Sequence, residues 1–122
     1  MLRPSGIPGA GVGVFALHDI GRDTRLNLFR KEEGASRKMK EEDVSEELRT
    51  YCIALEGGMW DCPPSFNRMS VGWYLNHSRT PNAAWKKDAY YSIRRIARGD
   101  ELTIDYNRFD EPPGKKEAYY AR

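Results

Sequence analysis

Short runs in which apolar residues alternate with polar ones recur along the chain, a pattern typical of brief β-strands. The predicted strands cover residues 12–15, 24–29, 59–62, 83–86, 90–96 and 101–104. Glycines and prolines stand before the first of these runs, and turn-like residues separate the later ones. We expect the first two strands to pair with each other. The pattern therefore predicts a mainly β chain.

One stretch has helical spacing instead. Its apolar positions are Val44, Leu48, Tyr51, Cys52 and Leu55. Asp43, with Glu46 three residues on, can cap the first turn, and Gly57 with Gly58 can end the last one. We therefore expect one helix inserted among the strands. The preceding residues 30–42 are dense in charge and nearly free of apolar side chains, which predicts a solvated loop without an assigned function.

The length of 122 residues suits one domain. We expect it to span residues 1–122, with a core at about 5–110 and a C-terminal tail at 111–122. The net charge of +2 and the pI near 8.6 fall short of the charge of a dedicated nucleic-acid binder, so no direct nucleic-acid binding is expected. No apolar run is long enough to span a bilayer or resembles a secretory signal, so the chain is predicted to be soluble, without a membrane partner.

The two cysteines, Cys52 and Cys62, could form one disulfide or, with His18 and His77, supply a zinc site. We predict no metal and interpret both cysteines as small, buried, apolar residues, the usual state of free cysteine in a reducing compartment. The cysteine content therefore indicates an intracellular protein.

Three segments carry candidate chemistry. Residues 76–82 read NHSRTPN, a polar stretch that either binds a ligand from a loop or is an ordinary turn. Residues 101–106 read ELTIDY, where Tyr106 at a strand end is either an orienting hydroxyl or a core tyrosine. The glycines Gly11 and Gly13 allow close approach to a ligand. With Ala16 they imitate a dinucleotide-binding fingerprint, but Asp19, Gly21 and Asp23 interrupt the helix that this motif needs.

Taken together, the order and spacing of these segments resemble the SET-domain protein lysine methyltransferases. The pattern of that family is GxG, then RFxNHSCxPN, then ELxxDY. The matching residues are Gly11, Gly13, Asn76, His77, Ser78, Pro81, Asn82, Glu101, Leu102, Asp105 and Tyr106. Asp61 and Cys62 also resemble a short strand that precedes the central motif. The resemblance implies a β-clip-like fold of small curled sheets with one inserted helix and a C-terminal pseudoknot.

The resemblance also implies an activity, the transfer of a methyl group from S-adenosylmethionine to a lysine of a protein substrate such as a histone or another basic tail. The cofactor-binding residues would be Gly11, Val12, Gly13, Tyr74, Asn76 and His77. The lysine would enter from the opposite face through a channel lined by Trp85, Ile104, Tyr106 and Phe109. Tyr106 would be the catalytic residue, and its hydroxyl would orient both reactants.

The sequence departs from the family pattern at several positions. Arg79 replaces the central cysteine, and Trp73 and Tyr74 replace arginine and phenylalanine. Ile104 stands where relatives often carry the aromatic residue that governs the number of methyl groups added. No cysteine-rich segment follows Tyr106. We therefore expect the substrate channel to be closed by Tyr119 and Tyr120 or by a second copy of the chain in a homodimer. The alternative hypothesis is a catalytically inactive SET-like module that binds a protein partner.

Overall fold

The computed structural model describes residues 1–87 and 89–108, and within them ten short strands form three small sheets. The strands are β1 (Leu2–Pro4), β2 (Val12–Phe15), β3 (Arg25–Leu26), β4 (Arg37–Lys40), β5 (Ile53–Ala54), β6 (Met59–Cys62), β7 (Asn76–His77), β8 (Ala83–Lys86), β9 (Ala89–Ser92) and β10 (Glu101–Ile104). The helical segments are 3-10 helices at Lys31–Glu33, Glu41–Asp43, Glu46–Tyr51, Glu56–Gly58, Val71–Tyr74 and Tyr106–Arg108. The prediction of a mainly β chain is confirmed.

The first sheet has the strand order β1-β2-β10-β7. Strand β10 pairs antiparallel with β2, so that Leu102 lies opposite Val14. It also pairs in parallel with β7, so that Thr103 lies opposite Asn76. The first two residues of the segment predicted to be a polar loop are therefore strand residues. This sheet brings the N-terminal, central and C-terminal motif segments side by side.

The second sheet has the order β3-β9-β8, which corrects the predicted pairing of the first two strands. Strand β3 is shorter than predicted and lies beside β9, with Leu26 opposite Tyr90. The physical reason is that β1 and β10 occupy both edges of β2, which leaves no edge for β3. The buried hydroxyl of Ser92 accepts from the amide of Thr24 at 2.9 Å and fixes β3 to the end of β9, which stops earlier than predicted.

The third sheet, β4-β6-β5, contains a strand that the charge pattern concealed. The prediction of a loop over residues 30–42 is wrong at β4, which pairs with β6 so that Met39 lies opposite Trp60. Strand β4 lies at the edge of its sheet, and mostly exposed charged side chains are a common feature of edge strands. The absence of alternation therefore did not mean the absence of a strand.

The predicted inserted helix is not one continuous helix. A 3-10 helix covers Glu46–Tyr51, while Val44 before it and Cys52 after it have extended backbones. Asp43 ends a separate short 3-10 helix, and Ser45 occupies the N-cap position without a side-chain cap bond. The apolar residues have helical spacing because the chain winds around a small apolar cluster to which they contribute.

The apolar interior consists of two clusters. The larger one lies under the first two sheets and contains Val14, Ala16, Leu26, Leu28, Leu75, Ala83, Ile96, Leu102 and Ile104. The smaller one belongs to the third sheet and contains Val44, Cys52, Ala54, Trp60 and Cys62. Both cysteines are buried and free, as predicted, and burial raises the pKa of each thiol. Within the described residues no helix is long and apolar enough to cross a membrane.

Candidate active site

Asn76 joins the three motif segments. Its buried side-chain amide donates to the carbonyl of Val12 and to a carboxylate oxygen of Glu101, both at 2.9 Å. The same carboxylate accepts the hydroxyl of Ser5 at 2.8 Å. A Cβ at Gly13 would overlap the carboxylate of Glu101, so glycine lets this carboxylate lie against the backbone of β2 while it is bonded to Asn76. The amide group of Asn76 and the backbone of Gly13 therefore hold strands β2, β7 and β10 in register.

Asn82, the last residue of the central motif, also binds the backbone of strand β10. Its side-chain amide donates to the carbonyl of Glu101 at 2.8 Å, and its side-chain oxygen accepts the amide of Thr103 at 2.9 Å. A buried amide side chain with both ends bonded to backbone acts as one more rung of the sheet. Asn82 is therefore a structural residue of the site.

His77 connects the central motif to the residues that follow β10. Its Nδ1 accepts the backbone amide of Tyr106 at 3.1 Å, and an Asp105 carboxylate oxygen lies 3.5 Å from the same nitrogen. An imidazole nitrogen accepts a hydrogen bond only when it carries no proton, so this bond assigns the ring proton to Nε2. The buried ring thus positions the backbone of Tyr106.

Tyr106 begins a 3-10 helix directly after β10, and its hydroxyl donates to the carbonyl of Leu75. Tyr106 lines two adjoining clefts, which also share Thr50, Tyr51 and Trp73. We call the cleft that Gly9 and Ala10 line the glycine-side cleft. We call the cleft that Trp85 lines the aromatic cleft. A hydroxyl between two clefts can contact molecules bound in both.

The glycine-side cleft contains some of the predicted cofactor residues. Val12, Tyr74 and Asn76 line it together with Tyr106. Gly11 follows Ala10 with a φ of 73°, and a Cβ there would meet open space, so its side of the backbone is accessible. Gly13 and the ring of His77 are instead engaged with Glu101 and with Tyr106. The structure therefore brings three predicted residues to the cleft wall and places the other three behind or beside it.

The aromatic cleft, of about 330 Å³, contains the predicted channel residues Trp85, Ile104 and Tyr106. Another cleft, of about 260 Å³, adjoins the aromatic cleft, and Trp85 and Ile104 line both. The indole of Trp85 is 55% exposed and meets the ring of Tyr90 edge-on at 5.1 Å. Phe109, the fourth predicted channel residue, lies outside the described residues.

Sequence reasoning missed much of the aromatic wall. The ring of Phe29 contacts Trp73 edge-on at 5.5 Å and stacks on Tyr90 at 6.1 Å. A Cβ at Gly72 would lie 2.4 Å from the Phe29 ring, so this ring packs directly on backbone. Burial raises the pKa of the Tyr90 hydroxyl above its ordinary value. The three aromatic residues are far apart in sequence, so no local spacing could have linked them.

Comparison with known proteins identifies the class. A model of the SET domain matches residues 11–107, so the chain belongs to the SET domain family, and the resemblance seen in its motifs is confirmed. The histone-lysine N-methyltransferase, H3 lysine-37 specific, of Schizosaccharomyces pombe is 32% identical over 108 residues, or 79% of this chain and 66% of that protein. Histone-lysine N-methyltransferase SETD7 of Halocynthia roretzi is 27% identical over 129 residues, or 93% of this chain. The chain spans 66% and 32% of the lengths of these two relatives.

Solved structures show the same fold. The methyltransferase domain of human PR domain-containing protein 2 matches with a TM-score of 0.56 at 22% identity, over 92% of this chain and 79% of that one. Polycomb Repressive Complex 2 of Chaetomium thermophilum, in an autoinhibited conformation bound to S-adenosylmethionine, matches with a TM-score of 0.63 at 20% identity. That match covers 90% of this chain and 15% of the other. Within the described residues, no group of three His, Cys, Asp or Glu side chains could hold a metal ion.

Proposed function

We propose that this chain is a protein-lysine N-methyltransferase that uses S-adenosylmethionine and acts on a lysine of a histone or another basic protein tail. The observation that supports this most directly is the position of Tyr106, whose side chain borders both the glycine-side cleft and the aromatic cleft. The SET family membership and the names of the histone-lysine methyltransferase relatives support the same reaction class.

The glycine-side cleft has a volume of about 20 Å³, so its walls would have to move apart to admit S-adenosylmethionine, but the chemistry of its lining suits that cofactor. None of its described residues carries a charge, and four of them, Tyr51, Trp73, Tyr74 and Tyr106, are aromatic. Aromatic faces attract cations, whereas a lysine or arginine would repel one. When bound, S-adenosylmethionine supplies an electrophilic methyl group on a positively charged sulfur. Backbone at Gly9 and Ala10, together with Val12, Tyr74 and Asn76, would hold it there.

The aromatic cleft would prepare the lysine. An amine attacks a methyl group only in its unprotonated form, and a free lysine has a pKa near 10.4. Phe29, Trp73 and Tyr90 line this cleft with apolar ring surface, and burial of the lysine amine among these rings would lower its pKa. Tyr106 would then orient the amine, since its hydroxyl donates its proton to the carbonyl of Leu75 and keeps its oxygen lone pairs for an N–H of the substrate.

The test is methyl transfer by Tyr106→Phe. We expect kcat to fall by about 100- to 1000-fold, the usual loss when one preorganised hydrogen-bonding group is removed from a reacting centre. The assay uses labelled S-adenosylmethionine with histones and with a cell lysate as substrates. Tyr91→Phe is the matched control, because Tyr91 lies on β9 and lines neither cleft, and it should keep wild-type activity. If the wild-type chain labels no protein above the level of Tyr106→Phe, the proposal is wrong.

A second candidate function is a SET-like module that binds a partner without catalysis. The observation that favours it is Trp73, which replaces the arginine of the family pattern and donates instead to Glu33 at 3.3 Å. Titration calorimetry with S-adenosylmethionine separates the two functions. Saturable binding that weakens in Tyr74→Ala supports the methyltransferase, and absence of binding to the wild-type chain supports the module.

A further inference from the structure

Glu33 has an unusual set of partners for a carboxylate at the wall of a cleft. It ends the 3-10 helix Lys31–Glu33 and is half-buried. One carboxylate oxygen accepts the backbone amide of Ser70 at 2.7 Å, and the other accepts the indole N–H of Trp73 at 3.3 Å. Both donors are neutral, so they fix the orientation of the carboxylate without cancelling its charge. None of the ion pairs among the described residues includes Glu33.

The charged residues described along the aromatic cleft all have the same sign. Among its described lining residues only Glu33 and Asp61 are charged, and both are acidic. The carboxylate of Asp61 is paired with the ammonium of Lys38 at 3.0 Å, which offsets its charge. Walls of low polarity concentrate the field of an uncompensated charge. Glu33 therefore makes this cleft attractive to a cationic side chain.

The cationic side chain that Glu33 attracts is not the lysine to be methylated. A carboxylate beside the reacting amine would stabilise its ammonium form and raise its pKa, which opposes methyl transfer. Glu33 also lines a neighbouring cleft with Arg30, Pro64, Ser65 and Arg68, and among the described residues neither arginine forms an ion pair with its carboxylate. Glu33 therefore lies between that cleft and the aromatic cleft. This position suits a side chain that flanks the target lysine in the substrate.

We propose that Glu33 is a specificity residue that recognises an arginine or lysine adjacent to the target lysine of the substrate protein. The inference rests on the proposed function, because the aromatic cleft must be the substrate side of the site. Trp73 and Ser70 preorganise the carboxylate, so a guanidinium or ammonium meets it without further ordering of the side chain.

The experiment measures peptide binding by fluorescence anisotropy. Three labelled peptides of Gly, Ser and Ala carry one central lysine, and its two neighbours are both Arg, both Ala or both Glu. We expect the wild-type chain to bind the Arg-flanked peptide roughly tenfold more tightly than the Ala-flanked one, as one charge-assisted pair allows, and the Glu-flanked peptide most weakly. The ratio should fall in about 0.5 M salt because screening weakens the pair.

The variants are Glu33→Gln and its matched control Glu32→Gln, the exposed neighbour in the same 3-10 helix. Glu33→Gln should bind the Arg-flanked and Ala-flanked peptides about equally, whereas Glu32→Gln should keep the roughly tenfold preference. If Glu33→Gln does not fold, the salt dependence of the wild-type preference serves in its place, because a preference that persists unchanged in about 0.5 M salt does not come from an ion pair. Loss of the preference in Glu32→Gln, or its retention in Glu33→Gln, would overturn the assignment.

The wild-type chain alone gives a decisive result as well. Equal binding of the Arg-flanked and Ala-flanked peptides would contradict the inference whatever the variants do. Because anisotropy reports binding without methyl transfer, the two proposals fail separately. A chain that prefers the Arg-flanked peptide but methylates no protein rejects the proposed function, and a chain that methylates proteins without this preference rejects the role of Glu33.

Discussion

The two apolar clusters of this molecule are built in opposite ways. The larger cluster collects residues from Val14 to Ile104, so it depends on strands that are distant in sequence. The smaller cluster comes from one continuous stretch between Val44 and Cys62. Tyr106 and the motif segments rest on the larger cluster, whereas the stretch that forms the smaller one supplies Tyr51, Ile53 and Asp61 to the wall of the aromatic cleft.

The difference indicates a division of roles. Long-range pairing fixes the geometry at Tyr106, where small displacements are costly, and the local unit adds one part of the wall that would face the substrate. A local unit can change its sequence without altering the register of β2, β7 and β10. We therefore expect substitutions in the two regions to have separable effects.

The largest effect should come from Trp60→Ala, which removes the biggest side chain of the smaller cluster. Trp60 is 6% exposed, and truncation of a buried aromatic residue costs about 3–5 kcal/mol. Urea unfolding measures the loss, and hydrogen exchange should locate it first in β4, β5 and β6. Trp85→Ala is the control, since that exposed side chain should contribute below about 1 kcal/mol. Equal loss of protection in the first sheet would show that the two regions unfold as one.

Gly13→Ala tests the larger region. The added Cβ would overlap the carboxylate of Glu101, which must then shift away from its hydrogen bonds with Ser5 and Asn76. We expect a loss of about 2–3 kcal/mol in the free energy of unfolding, within the range for overpacked sites. In the control Gly6→Ala, the Cβ meets nothing within 4 Å. A stable Gly13→Ala chain would mean that the junction at Glu101 is adaptable.

Alkaline pH should weaken the smaller cluster selectively. Burial raises the pKa of both thiols, Cys52 and Cys62, above the ordinary value of 9.0. Below about pH 9 the folded and unfolded chains both keep these protons, and stability is complete. Above it the unfolded chain releases them first, so stability should fall by about 1.4 kcal/mol per pH unit for each thiol. Thermal unfolding of the Cys52→Ala, Cys62→Ala double variant should show a smaller decline over the same pH range.

The smallest effect should come from Lys38→Ala on the edge strand β4. The ammonium of Lys38 lies 3.0 Å from Asp61, but its side chain is 59% exposed. Exposed pairs contribute about 0.2–1 kcal/mol, and salt screens them. Urea unfolding at low and high salt should show a difference from wild type that shrinks as the salt concentration rises. A larger loss would mean that β4 depends on this pair to stay in its sheet.

Local patterns predicted the strands whose signals are local. Residues 12–15, 59–62, 83–86 and 101–104 form strands β2, β6, β8 and β10 with the predicted bounds, because alternation ends at clear turn residues. The parallel pairing of β7 with β10 has no such signal, and the proximity of the motifs was expected only from the family resemblance.

The remaining differences have physical causes. The spacing of Val44, Leu48 and Cys52 suits a helix, but a chain wound around a small cluster produces the same spacing. Strand β4 carries charge because it lies at a sheet edge, and Glu33 looked like part of a charged loop. The contacts of Phe29 with Trp73 and Tyr90 join three elements, so only tertiary packing creates them.

The place of β10 between β2 and β7 also sets an order of events during synthesis. Val14 leaves the ribosome long before its partner Leu102, and at about 5–20 residues per second the interval is several seconds. During that time the nascent chain exposes the apolar face of β2 and the unpaired edge of β7, while the stretch from Val44 to Cys62 can already condense. The chain should therefore be most vulnerable to aggregation and to chaperone capture just before its final strand is made.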